Sequence, residues 1–487
     1  MPMSPGGAVH ASRRLALIVA IVAMLAHSAY LQPWTLDDAY ISMHYAENFA
    51  RGEGLVFNPG ERVEGYTNFL WVLLLGVARV AGLPTVATAK VLGTVCAVGC
   101  LLATAWAHRA HAGFTPRASV TATLLLGTLG IFTVWVMSGM EVALSALTVL
   151  GAVLLHLRSR DGRTPVVGAA AGACCALAAM AHPELGLTFP VLLVDRVRRG
   201  PRSWGPFVAA FAGLYGPYFA WRWAYYGWLL PNTFYNKVGG TWEQVQRGFH
   251  YLGEFVWPAL LLLTAIIAGA LSRRVRLSRV VLAYVAVHTV FVVLVGGDVM
   301  PAFRFLSPVA PLLCLLAATA VDRLVPPRRM AAVVAVMIAF SVTQAFVNHD
   351  LHGRVIHGRI GHNGCELGTW LGEHAPPGAV IATNNVGGVA YCSGLNAIDM
   401  LGLTDEHIAH VDVPMGRGPA GHEKHDGHYV LDRAPDYIQL GSSRGARRPK
   451  FPGDKEIWRD PRFAEHYELV KIQLPSGGTV YLYQRVD

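Results

Sequence analysis

Charged residues are scarce in this chain. They make up 15% of its 487 residues, whereas hydrophobic residues make up 53%, and the mean hydropathy is +0.39. A soluble globular chain usually carries about 25% charged residues. This shortage, together with long uncharged apolar runs, excludes an ordinary soluble enzyme and a disordered chain. The sequence also has no internal repeat and no low-complexity tract.

The seven cysteines show no spacing typical of a zinc site. Cys365 and Cys392 follow the last apolar run, in a region predicted to lie in an oxidising compartment, where either a disulfide or two buried free thiols fits them. The other five lie inside apolar runs, where small buried thiols are common: Cys96, Cys100, Cys174, Cys175 and Cys314.

The apolar runs predict many membrane-spanning helices. The first run, 15–31, follows Arg13 and Arg14 and fits either a secretory signal or a retained helix. We interpret it as a retained helix because runs of about 17–22 residues follow, each long enough to cross a hydrocarbon core of about 30 Å. They lie at 88–107, 118–136, 141–157, 165–181, 204–225, 255–271, 279–296, 305–322 and 329–347, with a shorter one at 185–195.

Arginine-rich segments alternate with loops that are nearly free of basic residues. An excess of basic residues marks cytoplasmic loops, so the net charge of +9 does not indicate nucleic-acid binding. After Arg13 and Arg14, the arginines concerned are Arg109, Arg117, Arg158, Arg160, Arg163, Arg196, Arg198, Arg199, Arg202, Arg273, Arg274, Arg276, Arg279, Arg323, Arg328 and Arg329.

This alternation predicts a cytoplasmic N-terminus and an external C-terminal region, which requires an odd number of crossings. We predict eleven. The apolar segment 66–82 breaks the alternation, so it either lies at the outer membrane surface or dips into the membrane and returns. Tyr66, Trp71 and Arg79 suit an interfacial position. The alternative is that the short run 185–195 does not cross.

The composition changes near Asn348, where charge, histidine, proline and glycine rise. We predict a transmembrane domain at 1–347, with an outer first loop at 33–87, and a small extracytoplasmic α/β domain at 348–487. Within the second domain, the patterns predict a helix at Glu366–His374, stopped by prolines, and short strands at 378–384, in the 429–441 segment (YVLD and DYIQLG) and at 478–486.

The outer first loop carries a candidate catalytic pair. Asp37 and Asp38 lie where the first span ends and a helix over 38–50 begins. Asp37 either caps that helix or takes part in chemistry. Adjacent helical side chains point about 100° apart, so the two carboxylates cannot serve one reacting atom equally. One would act as a general base, with Asp37 slightly favoured, and the other would orient it or cap the helix.

Other outward loops supply further polar residues. Glu141 and Glu184 either satisfy helix amides or bind substrate, and Arg62 either pairs with Glu64 or contacts the donor. Arg304 either binds a phosphate or only snorkels at the membrane surface. The candidate donor-phosphate and substrate ligands are Arg304, Lys237, Arg62, His182, Glu184, Asn232, Asp298 and Glu141.

Taken in order, these motifs resemble the GT-C superfamily of bacterial membrane glycosyltransferases. The resemblance is strongest to the branch of mycobacterial terminal β-arabinofuranosyltransferases and their bacterial relatives, from about residue 34 to 405. Its motifs are LDDAYISMHYAENFARGEGLVFNPGERVEGYTNFLW, SGMEVAL, LLPNTFYNK, GGDVMPAFRFLSPVAPLL and NAIDMLGLTD. The chain departs at His182, where relatives carry arginine, and at Asn384 and Asn385, where relatives often carry an acidic residue.

The resemblance implies a multi-pass protein of the bacterial inner membrane, surrounded by membrane lipid. It implies transfer of a sugar, arabinofuranose in this branch, from a polyprenyl-phosphate donor to a glycan or lipid acceptor on the outer face. The catalytic aspartate of the family matches Asp37 or Asp38. Some GT-C relatives use a divalent metal, and the outer acidic residues permit one, but no spacing here demands it. We interpret the histidine-rich 422–428 segment as a solvated loop.

Two other functions are open at this point. A transporter or flippase for lipid-linked saccharides would need polar or charged residues along its spans. The interiors of the apolar runs are nearly free of charge apart from Arg222. A catalytically inactive accessory subunit would account for the departures at His182 and at Asn384 and Asn385.

The predicted topology can be tested by thiol labelling in intact cells. Cysteines introduced beside Arg160, Arg199 or Arg274 should be shielded from an impermeant reagent, whereas cysteines beside Lys237 or Thr404 should react, because arginine-rich loops face the cytoplasm. Labelling beside Arg199 with none beside Lys237 would invert the topology and remove the outer site.

Overall fold

A computed structural model describes residues 5–31 and 33–486. Residues 1–4 and Gln32 of the predicted transmembrane domain, and Asp487 of the predicted C-terminal domain, lie outside the described residues. The chain divides into two compact units. The helical unit comprises Met1–Pro33, Lys90–Trp221 and Arg247–His357, and the sheet unit comprises Trp34–Ala89, Arg222–Gln246 and Gly358–Asp487.

Each apolar run predicted to span the membrane is mainly helical in the structure. Five helices are long and apolar enough to cross a membrane, or seven when two bent pairs are each counted as one span, among the residues described. The count of eleven spans stays a prediction. The helices are Pro5–Tyr30, Thr85–Ala105, Pro116–Thr128, Gly130–Thr133, Val142–Ser159, Pro165–Ala181, Thr188–Val197, Pro201–Tyr226, Trp242–Val256, Leu260–Leu271, Arg279–Leu294, Ala310–Leu324, Pro327–Val347 and Arg354–His357, with shorter turns at Ala107–Arg109, Val134–Met137, Pro183–Leu187, Arg304–Val309 and His349–Gly353.

Two predicted spans are broken. The helices Pro116–Thr128 and Gly130–Met137 meet at 61°, and Trp242–Val256 meets Leu260–Leu271 at 95°. Pro258 lies in the second break, and proline has no amide hydrogen to continue a helical hydrogen-bond ladder. The run 255–271 therefore does not form one continuous helix.

Arg196 is not the solvated loop charge that its position in an arginine-rich segment suggested. Its side chain is buried, and Nε donates to Nδ1 of His156 at 3.1 Å. Its two terminal nitrogens donate to Oγ of Ser159 at 2.9 Å and to the carbonyl of Ser203 at 2.8 Å. This arginine therefore ties three segments of the helical unit together.

The sheet unit is built on five strands in the described residues: β1 Val380–Thr383, β2 Asn396–Asp399, β3 Tyr437–Gln439, β4 Tyr467–Gln473 and β5 Thr479–Arg485. Their order is β2-β1-β3-β5-β4. Strand β1 pairs parallel with β2 and β3, and β5 pairs antiparallel with β3 and β4. The helices of this unit are Asp37–Ala50, Phe69–Val80, Asn232–Lys237, Ile360–His374, Val386–Ser393, Glu406–His410, Gly427–Asp432, Pro452–Arg459 and Pro461–His466.

The outer first loop shares a hydrophobic core with the sheet. Tyr45 and Phe57 of this loop belong to the same buried cluster as Ile381 and Leu482 on one sheet face. Successive strand residues point to opposite faces, and the neighbouring Ala382 accordingly belongs to a second cluster, on the other face. Burial on both faces explains why three of the four residues of β1 are apolar.

The predicted helix Glu366–His374 is confirmed within Ile360–His374, and the strands at 378–384 and 478–486 are confirmed as β1 and β5. The strand predicted at YVLD is wrong, because these residues lie in the helix Gly427–Asp432. The carboxylate of Asp426 accepts a hydrogen bond from the amide of Tyr429 and caps this helix.

The segment 66–82 contains the helix Phe69–Val80, which has 12 residues. At a rise of about 1.5 Å per residue it is too short to cross a core of about 30 Å. Its aromatic residues are not interfacial anchors as predicted, because Tyr66 and Trp71 are buried inside the protein. Arg79 pairs with Glu47 at 2.8 Å.

Cys365 and Cys392 form a disulfide, with their Cα atoms 5.1 Å apart. It joins the helices Ile360–His374 and Val386–Ser393. Replacing both cysteines with serine should lower the free energy of unfolding by about 3 kcal/mol, because the bond restricts the unfolded chain. Thermal unfolding with and without reductant measures this, and reduction should lower the stability of the parental protein but not of the variant. Mass spectrometry of unreduced protein that finds both thiols free would contradict the bond.

Candidate active site

Asp37 is anchored to a second helix of the sheet unit. Its carboxylate accepts hydrogen bonds from the amides of Gly388, at 2.9 Å, and Gly387, at 3.3 Å. These amides belong to the first turn of Val386–Ser393, where helix N–H groups have no partner within the helix. Asp37 therefore caps a helix that lies 350 residues further along the chain, and the prediction that it caps its own helix is wrong.

Glycines let the backbone of Asp37 approach this helix closely. A Cβ atom added at Gly387 would lie 2.0 Å from the carbonyl oxygen of Asp37, and one at Gly361 would lie 2.6 Å from the carbonyl oxygen of Thr35. Neither position can carry a side chain without moving the start of the helix Asp37–Ala50. The disulfide links the two helices that carry Gly361 and Gly387, and it therefore holds together the two helices that contact this segment.

Burial raises the pKa of the Asp37 carboxyl to about 6, and the amides of Gly388 and Gly387 oppose that shift. Asp38 is half-buried and follows Asp37 in the helix. Its side chain points about 100° away from that of Asp37 around the helix axis. The two neighbouring carboxylates therefore have different surroundings, as two different roles would require.

Asp399 is a buried acid that the sequence reading did not single out. It ends β2 and accepts hydrogen bonds from the amides of Leu401, at 3.0 Å, and Thr404, at 2.9 Å. Burial raises its pKa to about 6 as well. Its only signal in the sequence was the motif NAIDMLGLTD, to which no chemical role was given.

Glu64 pairs with Arg222 instead of Arg62. Nε of Arg222 lies 3.1 and 3.0 Å from the two carboxylate oxygens of Glu64, and both side chains are buried. The charge inside an apolar run is thereby explained as an ion-pair partner of the outer first loop. Arg62 is exposed, and its guanidinium lies 4.8 Å from the centre of the Tyr225 ring.

Asn232 and Lys237 lie in one short helix of the sheet unit. The amide nitrogen of the Asn232 side chain donates to the carbonyls of Gly402, Leu403 and Asp405 at 3.0 to 3.1 Å. Asn232 therefore holds the loop after β2. Lys237 is half-buried, and its side chain lies over Gly421.

The remaining predicted residues lie in the helical unit. His182 pairs with Glu184, and Arg304 pairs with Asp298 at 2.7 Å. The His182 ring lies 5.8 Å and the Arg304 guanidinium 5.2 Å from the centre of the Phe305 ring, which places both pairs beside one aromatic side chain. Glu141 is buried.

The backbone before Arg304 is strained. Ala302 and Phe303 both adopt left-handed conformations, with φ of 56° and 53°. Non-glycine residues in such conformations cost about 1–3 kcal/mol each and persist where the surroundings hold them. Nε1 of Trp135 donates to the carbonyl of Ala302 at 3.1 Å. With its side chain only 7% exposed, Arg304 is not the snorkelling anchor that the sequence left open.

The described part of the chain contains no group of three or more acidic, histidine or cysteine side chains placed to hold a metal ion. No step of the chemistry proposed below is routed through a metal.

Comparison with known proteins supports the predicted resemblance. The chain is 29% identical over 347 residues to the terminal β-(1→2)-arabinofuranosyltransferase of Corynebacterium glutamicum, covering 58% of this chain and 48% of that protein. It is 28% identical over 362 residues to the enzyme of the same name from Mycobacterium tuberculosis, covering 64% and 56%. The chain thus spans about half the length of these curated relatives. Residues 354–483 match a family described as a domain of unknown function (DUF8728).

Solved structures share the fold. ArnT from Cupriavidus metallidurans, bound to undecaprenyl phosphate, superposes with a TM-score of 0.57 at 14% identity, covering 81% of this chain and 86% of ArnT. The mycobacterial arabinofuranosyltransferase AftD superposes with a TM-score of 0.54 at 15% identity, covering 98% of this chain and 40% of AftD.

These similarities, with the apolar helices, make the chain a multi-pass membrane protein with a small sheet domain. It has the GT-C fold and is similar in sequence to terminal β-(1→2)-arabinofuranosyltransferases, which confirms the resemblance predicted from its motifs.

Proposed function

We propose that this chain is a glycosyltransferase that moves a sugar, arabinofuranose by analogy with its relatives, from a polyprenyl phosphate to a glycan or lipid acceptor on the outer face of the membrane. The observation that carries the proposal is the anchored Asp37, because it fixes the neighbouring Asp38 at the start of a helix in a chain with the GT-C fold. The undecaprenyl phosphate bound to ArnT supports a lipid-linked donor.

The proposed reaction is a single displacement. An acceptor hydroxyl attacks the anomeric carbon of the donor sugar and forms the new glycosidic bond, while the bond between that carbon and the phosphate oxygen breaks. The phosphate leaves with the bonding electron pair, and the hydroxyl proton passes to a carboxylate. Attack opposite the leaving group inverts the anomeric centre. The protein must therefore supply a base and stabilise the charge on the phosphate.

Asp38 is the base in this proposal, and Asp37 is the residue that positions it. The sequence slightly favoured Asp37, on the expectation that its side chain turns towards a cavity. The Asp37 carboxylate instead receives two backbone amides and is buried. Asp38 is half-buried and directed elsewhere around the same helix.

Arg304 is the proposed phosphate ligand of the helical unit. Its guanidinium is planar and can bind two phosphate oxygens through parallel N–H groups, and it is held in place through Nε by Asp298. The strained loop before it fixes the position of its backbone. Lys237 and His182 are further candidate cations, His182 within its pair with Glu184.

The first substitution pair compares the two neighbouring carboxylates. Asp38→Asn should give a folded protein whose transfer rate falls by about 10²–10⁴-fold, because the base is lost. Asp37→Asn should keep more activity and lose stability by about 1–3 kcal/mol. The two carboxylate oxygens each accept from one amide, and the NH₂ group that replaces one of them cannot accept a hydrogen bond. Rates per folded molecule and thermal unfolding are measured for both variants.

Each variant is the matched control for the other, since the chemical change is the same. Transfer at the parental rate by Asp38→Asn would show that Asp38 is not the base. Background activity in Asp37→Asn at parental stability would move the role of the base to Asp37.

The second substitution tests the phosphate ligand. Arg304→Ala would leave the buried Asp298 unpaired and cost about 3–5 kcal/mol of stability, so the informative variant replaces both partners, Asp298→Asn with Arg304→Gln. It should fold and transfer sugar roughly 100-fold more slowly, because a donor to the leaving phosphate is missing. Arg304→Lys should recover only part of the rate, because a point charge does not replace a planar fork.

Donor-dependence curves on the purified, folded variants give the comparison. If the double variant transferred sugar at the parental rate with unchanged donor dependence, the pair of Arg304 and Asp298 would be purely structural.

A further inference from the structure

The sheet unit contains a cavity of about 660 Å³ that the proposed reaction does not use. Small-molecule sites commonly have volumes of about 300–1,000 Å³. The lining includes neither Asp37 nor Asp38. It comes from the outer first loop, the segment after the helix Pro201–Tyr226, and the segments that follow β2 and precede β3. Arg62, predicted from the sequence as a donor ligand, lines this cavity.

One wall of the cavity is aromatic. The rings of Trp228 and His410 stack with centres 4.3 Å apart, and Tyr235 packs against both. The rings of His407 and Tyr429 stack at 4.0 Å. Trp228 is 39% exposed, so part of its surface is open to a ligand. Aromatic faces carry negative potential and suit the polarised C–H groups on the face of a sugar ring.

The rest of the cavity lining is polar, and its charges are nearly balanced. The Tyr429 hydroxyl donates to Asp405 at 3.0 Å and accepts from Arg433 at 2.8 Å, and Arg433 also donates to Glu61 at 2.9 Å. Glu406 and Arg62 complete the charged lining, so three carboxylates face two guanidinium groups. Such a lining favours neither an anion nor a cation, whereas sugar hydroxyls can donate to the carboxylates and accept from the arginines.

We infer that this cavity binds a neutral saccharide. Given the proposed function, on which this assignment rests, the saccharide is a non-reacting part of the acceptor glycan. The cavity holds that part while the end of the glycan is modified elsewhere. A second contact of this kind raises the effective concentration of a long acceptor without changing the chemical step. The cavity therefore selects acceptors by length.

The test compares Trp228→Ala with Trp458→Ala, which removes another partly exposed tryptophan of the sheet unit, outside the cavity. Two acceptors are used with the full chain: methyl arabinofuranoside and a linear arabinofuranose oligosaccharide. Trp228→Ala should raise the KM for the oligosaccharide roughly three- to tenfold, as expected for one lost aromatic contact. Its KM for the monosaccharide and its kcat should not change, and Trp458→Ala should match the parent.

Direct binding separates this inference from the proposed function. Calorimetry with the oligosaccharide and Asp38→Asn protein needs no turnover, and affinity should fall when Trp228→Ala is added. If the oligosaccharide bound in a way that depended on Trp228 but the parental protein transferred sugar from no donor, the saccharide site would stand. The proposal that the chain is a glycosyltransferase would then be rejected. Normal transfer with no effect of Trp228→Ala on either acceptor, or an equal effect of Trp458→Ala, would overturn the cavity assignment.

Discussion

The contact between the Asp37 carboxylate and the amides of Gly387 and Gly388 is the constraint on which the rest of the sheet unit depends. It satisfies N–H groups at a helix start and brings a negative charge to the positive end of the helix dipole. It also requires glycine at 387, since a Cβ atom there would collide with the Asp37 carbonyl. The first loop and the sheet also share a hydrophobic core. Because Asp38 follows Asp37 in the same helix, the contact of Asp37 also fixes the position of Asp38.

Much of the fold could be predicted because it follows from local composition. Each apolar run of spanning length is mainly helical in the structure, and β1 and β5 lie where buried and alternating patterns indicated them. Local patterns failed where a single side chain decided the outcome. Asp426 turns an apparent strand into a helix by capping it, and Pro258 divides an apolar run between two helices. Strand β2 was missed because it has only four residues, and β4 was missed because Glu468 and Lys471 interrupt its apolar pattern.

The sequence predicted which residues belong to the site, but it did not predict which of them pair with each other. Asp37 and Asp38 were found because they lie at the end of the first span and match the catalytic aspartate of the family that the chain resembles, but the partner of Asp37 is 350 residues away. Glu64 pairs with Arg222, 158 residues away, rather than with its neighbour Arg62. Such pairings depend on packing that no local pattern encodes. These pairings assign anchoring roles to Asp37, Asn232 and Glu64. Asp38 and Arg304 are the residues proposed to meet substrate.

The most direct test of the glycosyltransferase proposal is a donor assay with purified protein in lipid. The protein is incubated with a glycan acceptor and a panel of radiolabelled polyprenyl-phosphate sugars, with the folded Asp38→Asn variant as the blank. The proposal predicts that one label, arabinofuranose by analogy, moves to the acceptor with inversion at the anomeric carbon, and that the blank transfers none. Absence of transfer from every donor by a protein that binds the acceptor, or transfer with retention of configuration, would contradict it.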